Sequence, residues 1–271
     1  ITKADNICSG DFYILDGQSN AESMPTLDSC YADYQPFIRT YGNGNELGSK
    51  KEWFVAKGDC NRMIDGCVGQ LGVAIANEII LKHLIPVCIL NGAVGGKPLN
   101  YFLPDSANHT NLLTSYGRLC TRVHEAHAQS AVRAIIWYQG ENDASICNTQ
   151  NDYLNSFHKL FLGWKSDYPN FENLYHVQIR AGCQTDRYCS NVIQEAQRQI
   201  ANYDSTVEVI STTNISHSLD NCHYNYLNGY KLLGKKISKL ISVNQHNQID
   251  TTGFHSPEVK CCYTSFDNRL D

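Results

Sequence analysis

The chain is 271 residues long, 42% hydrophobic and 18% charged, with a formal net charge of −5 at pH 7. That length can bury the core of one large domain, while the mildly acidic balance and the lack of a basic run exclude a protein that tracks a nucleic-acid backbone. No apolar stretch is long enough to span a membrane, the best candidate (74–86) being broken by Asn77, Glu78, Lys82 and His83.

In chain order, the first strand is predicted over 11–17, DFYILDG, and it stops at Gly17-Gln18-Ser19-Asn20. A strand that ends in glycine and then presents a serine can hold a nucleophile at a sheet edge, although Gly, Ser and Asn also favour turns for backbone reasons alone. Residues 20–66, rich in Gly, Asn, Asp and Tyr, read as a long excursion carrying part of a binding surface. Helical spacing follows over 68–84, then a strand over 86–92, a helix over 112–129 and a strand over 132–140. A helix over 153–167, a strand over 174–180, a helix over 191–203, a strand over 207–212 and a helix over 226–242 complete the pattern. Continuous apolar strands suit a parallel sheet covered on both faces. Their alternation with helices predicts an α/β fold, a three-layer α/β/α sandwich around a five-stranded parallel sheet. No repeat, low-complexity tract or linker divides the chain, so 1–271 is expected to form one domain, its polar tail from Asn244 onward pinned back through Cys261 and Cys262.

In an open parallel sheet, ligands sit beyond the carboxyl ends of the strands. Three predicted strands end there in unusual residues: GQSN (17–20), NGAVGGK (91–97) and WYQGEND (137–143). A fourth stretch, SLDNCHYN (218–225), sets Asp220 three residues before His223, close enough for a carboxylate to fix the imidazole tautomer while Nε2 faces a hydroxyl. Taken singly, the glycine pair suits a turn, DNCHYN a disulfide loop, and Trp137 and Tyr138 core packing.

Together these four stretches resemble the SGNH hydrolases, in the branch holding sialate O-acetylesterases and plant and microbial acetylxylan esterases, over residues 11–234. The resemblance implies a flavodoxin-like sandwich and a serine esterase that removes acetyl groups from carbohydrate. It maps the nucleophile onto Ser19, the base onto His223 and the orienting acid onto Asp220, with Glu141 the alternative acid. The oxyanion donors it implies are the backbone N–H of Ser19, one from Gly95 with Gly96 as alternative, and the amide of Gln139 with Asn142 as alternative. Where the branch carries Thr or Ser and then Trp, this chain has Lys97 and then Tyr101-Phe102, which makes Lys97 a candidate reader of an anionic sugar. No metal or organic cofactor is implied; the expected partner is an O-acetylated carbohydrate.

Twelve cysteines, without Cys-x-x-Cys or Cys/His clustering, argue for disulfides rather than zinc, for an oxidising compartment and so for secretion. Six bridges are expected, with 60–67 and 183–189 as plausible local pairs. The sequons at Asn108 and Asn214 fit the same address. VHEAH (123–127) lacks the spacing of a zinc-protease helix and reads as a surface helix.

Overall fold

A computed structural model describes residues 7–44, 49–183 and 185–249. The five predicted strands are present as β1 (Asp11–Gly17), β4 (Val87–Asn91), β5 (Val132–Tyr138), β6 (Asn173–Val177) and β7 (Val207–Ile210). They run parallel in the order β4-β1-β5-β6-β7, the flavodoxin-like arrangement in which the chain steps once to one side of β1 and then to the other. The sheet as a whole differs from the expected one. Two further strands, β2 (Ile38–Tyr41) and β3 (Trp53–Val55), extend it to seven, and the antiparallel β2–β3 pair makes it mixed. Both come from the 20–66 excursion; at four and three residues they are too short for a period-2 pattern to separate from turn chemistry.

Helices α2 (Gly69–His83) and α7 (Lys231–His246) pack on each other on one face, while α3 (Ser115–Glu125), α5 (Gln150–Asp167) and α6 (Arg187–Ile200) cover the other, as right-handed crossovers require. Two short turns lie at strand tips: α1 (Ser19–Glu22) after β1 and α4 (Glu141–Ser145) after β5. Every residue of β1 and β4 is buried, which accounts for their unbroken apolar runs. Under α5, Trp137, Trp164, Phe157 and Phe102 interlock edge to face. The tail with Cys261 and Cys262 lies outside the described residues.

His176 of β6 is fully buried against the Phe157 ring, and neither ring nitrogen has a hydrogen-bond partner. Burial pushes its pKa down from 6.5 to about 3. The unfolded chain therefore takes up a proton that the folded one refuses, so stability is full above about pH 6.5 and drains away as the pH falls toward 3. Wild type should lose about 2 kcal/mol more between pH 7.5 and pH 5 than His176→Leu does. Urea titrations of both proteins at the two pH values check this.

Candidate active site

Gly17, the last residue of β1, has φ +134°, and a Cβ there would lie 2.0 Å from the Tyr138 carbonyl oxygen. Only glycine lets the tips of β1 and β5 approach so closely. Gln18 then locks them together. Its N–H donates to Tyr138 O at 2.9 Å, and its Oε1 accepts from Gly140 N at 3.2 Å and Asn142 N at 3.1 Å. The chain turns directly into α1, whose first residue is the half-buried Ser19, where backbone N–H groups have no partner within the turn.

Asn20 joins the serine turn to the histidine loop. Its Nδ2 donates to Glu141 Oε1 at 2.8 Å and to Cys222 O at 3.2 Å, and its Oδ1 accepts from Tyr230 OH at 3.1 Å. The residue after Ser19 is thus tied to the residue before His223. On that loop the His223 Nδ1–H donates to Asp220 Oδ2 at 2.6 Å, while Asp220 Oδ1 accepts the backbone N–H groups of Cys222 and His223 at 3.0 Å. Burial works to raise the Asp220 pKa, but these bonds outweigh it and hold the carboxyl below its usual range. A carboxylate fixed on Nδ1 leaves Nε2 as the free, proton-accepting nitrogen.

Glu141 is buried, its Oε1 is taken by Asn20 and its Oε2 has no partner. Burial raises its pKa, partly offset by the Asn20 amide. Of the two carboxyls proposed for orienting His223, Asp220 makes the contact, and Glu141 braces the serine turn.

The two candidate amides are also separated. Gln139, favoured from sequence, is fully buried, and its Nε2 donates to Asp143 Oδ2 at 2.5 Å, Lys97 O at 3.2 Å and Gln18 Oε1 at 3.3 Å. Asn142 is half-buried on the rim, with Nδ2 donating to Gly96 O at 3.1 Å and a second amide proton to spare. The sequence register could not decide this, because the turn of α4 rotates 139 inward and 142 outward.

The glycine loop differs from expectation at one atom. Gly95 N–H donates to Glu22 Oε2 at 3.0 Å, so a carboxyl that the sequence reading passed over sits at the Ser19 turn. Its only signal was its place on α1, three residues after Ser19 and hence on the same face. Gly96, with φ +67°, is open, with nothing within 4 Å of where its Cβ would be. Lys97 Nζ stands 5.0 Å from the Tyr101 ring centroid. Past the histidine loop, the ends of β6 and β7 open a polar cleft lined in part by Gln178, Arg180, Gln194, Thr213 and Asn214.

Three disulfides surround these loops among the described residues: Cys60–Cys67, Cys147–Cys189 and Cys183–Cys222. The 60–67 pair is as expected; the 183–189 pair is not. The Asp186 side chain caps α6 and fixes Cys189 in its first turn, where it bonds Cys147 beyond α4. Cys183 N–H instead donates to Asn221 O at 3.0 Å, which presents Cys183 to Cys222. Cys8, Cys30, Cys88 and Cys120 are free thiols, so six bridges are not formed among the described residues. Cys88 and Cys120 are core residues whose thiol pKa burial pushes up, which makes them inert.

Residues 9–242 match the family described as carbohydrate esterase, sialic acid-specific acetylesterase. The chain belongs to that family. Solved structures share the fold. A crystal structure of an Arabidopsis thaliana protein superposes with a TM-score of 0.66 at 20% identity, over 87% of this chain and 98% of that one. A carbohydrate acetylesterase from Xanthomonas citri gives 0.70 at 17% identity, over 94% of this chain and 60% of that one. A lipase/acylhydrolase from Enterococcus faecalis gives 0.54 at 12% identity, over 87% and 96%. At such identities the likeness is one of fold. No curated protein sequence matches the chain. Family membership makes this protein a hydrolytic esterase of the carbohydrate class. No helix among the described residues is long and apolar enough to cross a membrane.

Proposed function

We propose that the protein is a secreted serine esterase that removes O-acetyl groups from carbohydrate through an acyl-enzyme. The observation that carries this reading is the 2.6 Å bond from His223 Nδ1 to Asp220, on a loop that Asn20 holds against the Ser19 turn. Ser19 Oγ attacks the acetyl carbonyl while His223 Nε2 takes its proton. His223 then returns the proton to the sugar oxygen as that bond breaks, and a water molecule repeats the cycle on the acetyl-serine. The tetrahedral oxyanion is received by the backbone N–H groups of Ser19 and the Gly95-Gly96 loop and by the Asn142 amide. Hydroxyl and amide groups along the β6–β7 cleft suit the remaining sugar hydroxyls, and Lys97 suits an acidic sugar. Three disulfides and exposed Asn108 and Asn214 support an extracellular address.

Acetate release from acetylated sialic acid, xylan, pectin and peptidoglycan tests the substrate class; a protein that cleaves none of them, yet hydrolyses octanoyl as fast as acetyl nitrophenyl esters, would be a lipid or aryl esterase instead. Glycan binding without turnover would make it a carbohydrate-binding protein. The two amides separate by kinetics. Asn142→Ala is expected to lower kcat by about a hundredfold with KM nearly unchanged, whereas Gln139→Ala should act first on thermal stability, because it breaks a buried network.

A further inference from the structure

Glu22 is 8% exposed. Its Oε2 accepts the Gly95 N–H at 3.0 Å, and a Cβ built on Gly95 would stand 3.0 Å from that oxygen and 3.5 Å from Ser19 Cβ. The carboxyl therefore already takes the Gly95 N–H that an oxyanion formed at Ser19 would need, at the distance of about 2.7–3.1 Å at which oxyanion donors work. One N–H cannot serve two anions at that distance, and two anions at one donor repel in a water-poor pocket. The charged groups near Glu22 are Arg62, from the loop closed by Cys60–Cys67, and His223; Lys97 is turned to Tyr101.

We propose that Glu22 is a positioning residue that gates the oxyanion site: its ionised carboxylate withholds the Gly95 N–H, and its neutral form surrenders it to the transition state. This rests on the serine-esterase reading above. A carboxylate accepts an N–H about twice as strongly as a neutral carbonyl does, so protonation is what weakens the hold. Burial favours the neutral form, raising the Glu22 pKa against the opposing pull of the Gly95 N–H, Arg62 and His223. Activity then requires a neutral Glu22 together with a neutral His223, and two such requirements of opposite sense make the pH profile a bell. The falling limb belongs to the Glu22 carboxyl.

The test is kcat for 4-nitrophenyl acetate, read as acetate release between about pH 4 and pH 9.5, in wild type, Glu22→Gln and Ser19→Ala. Glutamine keeps an oxygen for Gly95 but cannot ionise. The expected result is a bell for wild type and a simple rise to a plateau at or above the wild-type maximum for Glu22→Gln, with the falling limb of about tenfold or more abolished. An unchanged bell in Glu22→Gln overturns the gate, as does a folded Glu22→Gln that is about a hundredfold slower at every pH. Should Glu22→Gln fail to fold, Glu22→Ala carries the same comparison, because it too removes the ionising group. Turnover by Ser19→Ala would instead overturn the serine-esterase reading and leave the occupied Gly95 N–H as a feature of the fold.

Discussion

Ser19→Ala and His223→Ala are each expected to lower kcat for acetyl ester hydrolysis by about ten-thousandfold or more, and the double substitution to be scarcely worse than either alone. The non-additivity is the informative part. In the proposed mechanism Ser19 is activated through Nε2 of His223, so once either is gone the other has nothing left to do, and the residual rate reflects the oxyanion donors and binding. Neither change should unfold the protein. Ser19 is half-buried and His223 lies on a rim loop, outside the hydrophobic core, so their circular dichroism and melting should stay close to wild type. A Ser19→Ala protein with substantial activity would require a different nucleophile.

Asp220→Asn is expected to cost about ten-thousandfold in kcat, the scale seen when an orienting carboxylate is lost and the histidine takes the wrong tautomer. The asparagine would still fill the space and could present either its oxygen or its amide to Nδ1, but it could not stabilise the imidazolium that forms on proton transfer. Because the hydrogen bonds around Asp220 hold its pKa low, the wild-type carboxylate stays ionised through the working range and adds no step of its own to the pH profile. Glu141→Gln should behave differently. Its side chain still offers Asn20 an acceptor where Oε1 now stands, so kcat should fall far less. Kinetics of the two variants side by side decide between the acids, and a larger loss in Glu141→Gln would move the role to Glu141.

The five parallel strands and most of the helices were legible because apolar runs alternate regularly with stretches of helical spacing from β4 onward. β2 and β3 were not, and the mixed edge of the sheet went unseen with them. At the site, the Asp220–His223 contact was legible because its partners lie three residues apart, and the structure shows that bond. What escaped depended on contacts across more than a hundred residues, as between Gln139 and Gln18, or on one side chain turning under a loop, as Glu22 does. Cysteine pairing was legible at 60–67 but not beyond it. Spacing suggested 183 with 189, but the capped start of α6 and the Asn221 carbonyl choose other partners. Asn20 illustrates the limit. Its type is a common turn residue, yet here it is the buried joint between three segments.

The Cys183–Cys222 bridge ends one residue short of His223, so a pair of sulfur atoms fastens the loop that carries the proposed base. None of the three bridges lies within a strand of the sheet. Reduction would therefore leave strand pairing untouched and put the whole burden of placing the His223 loop on the Asn20 and Asp220 hydrogen bonds.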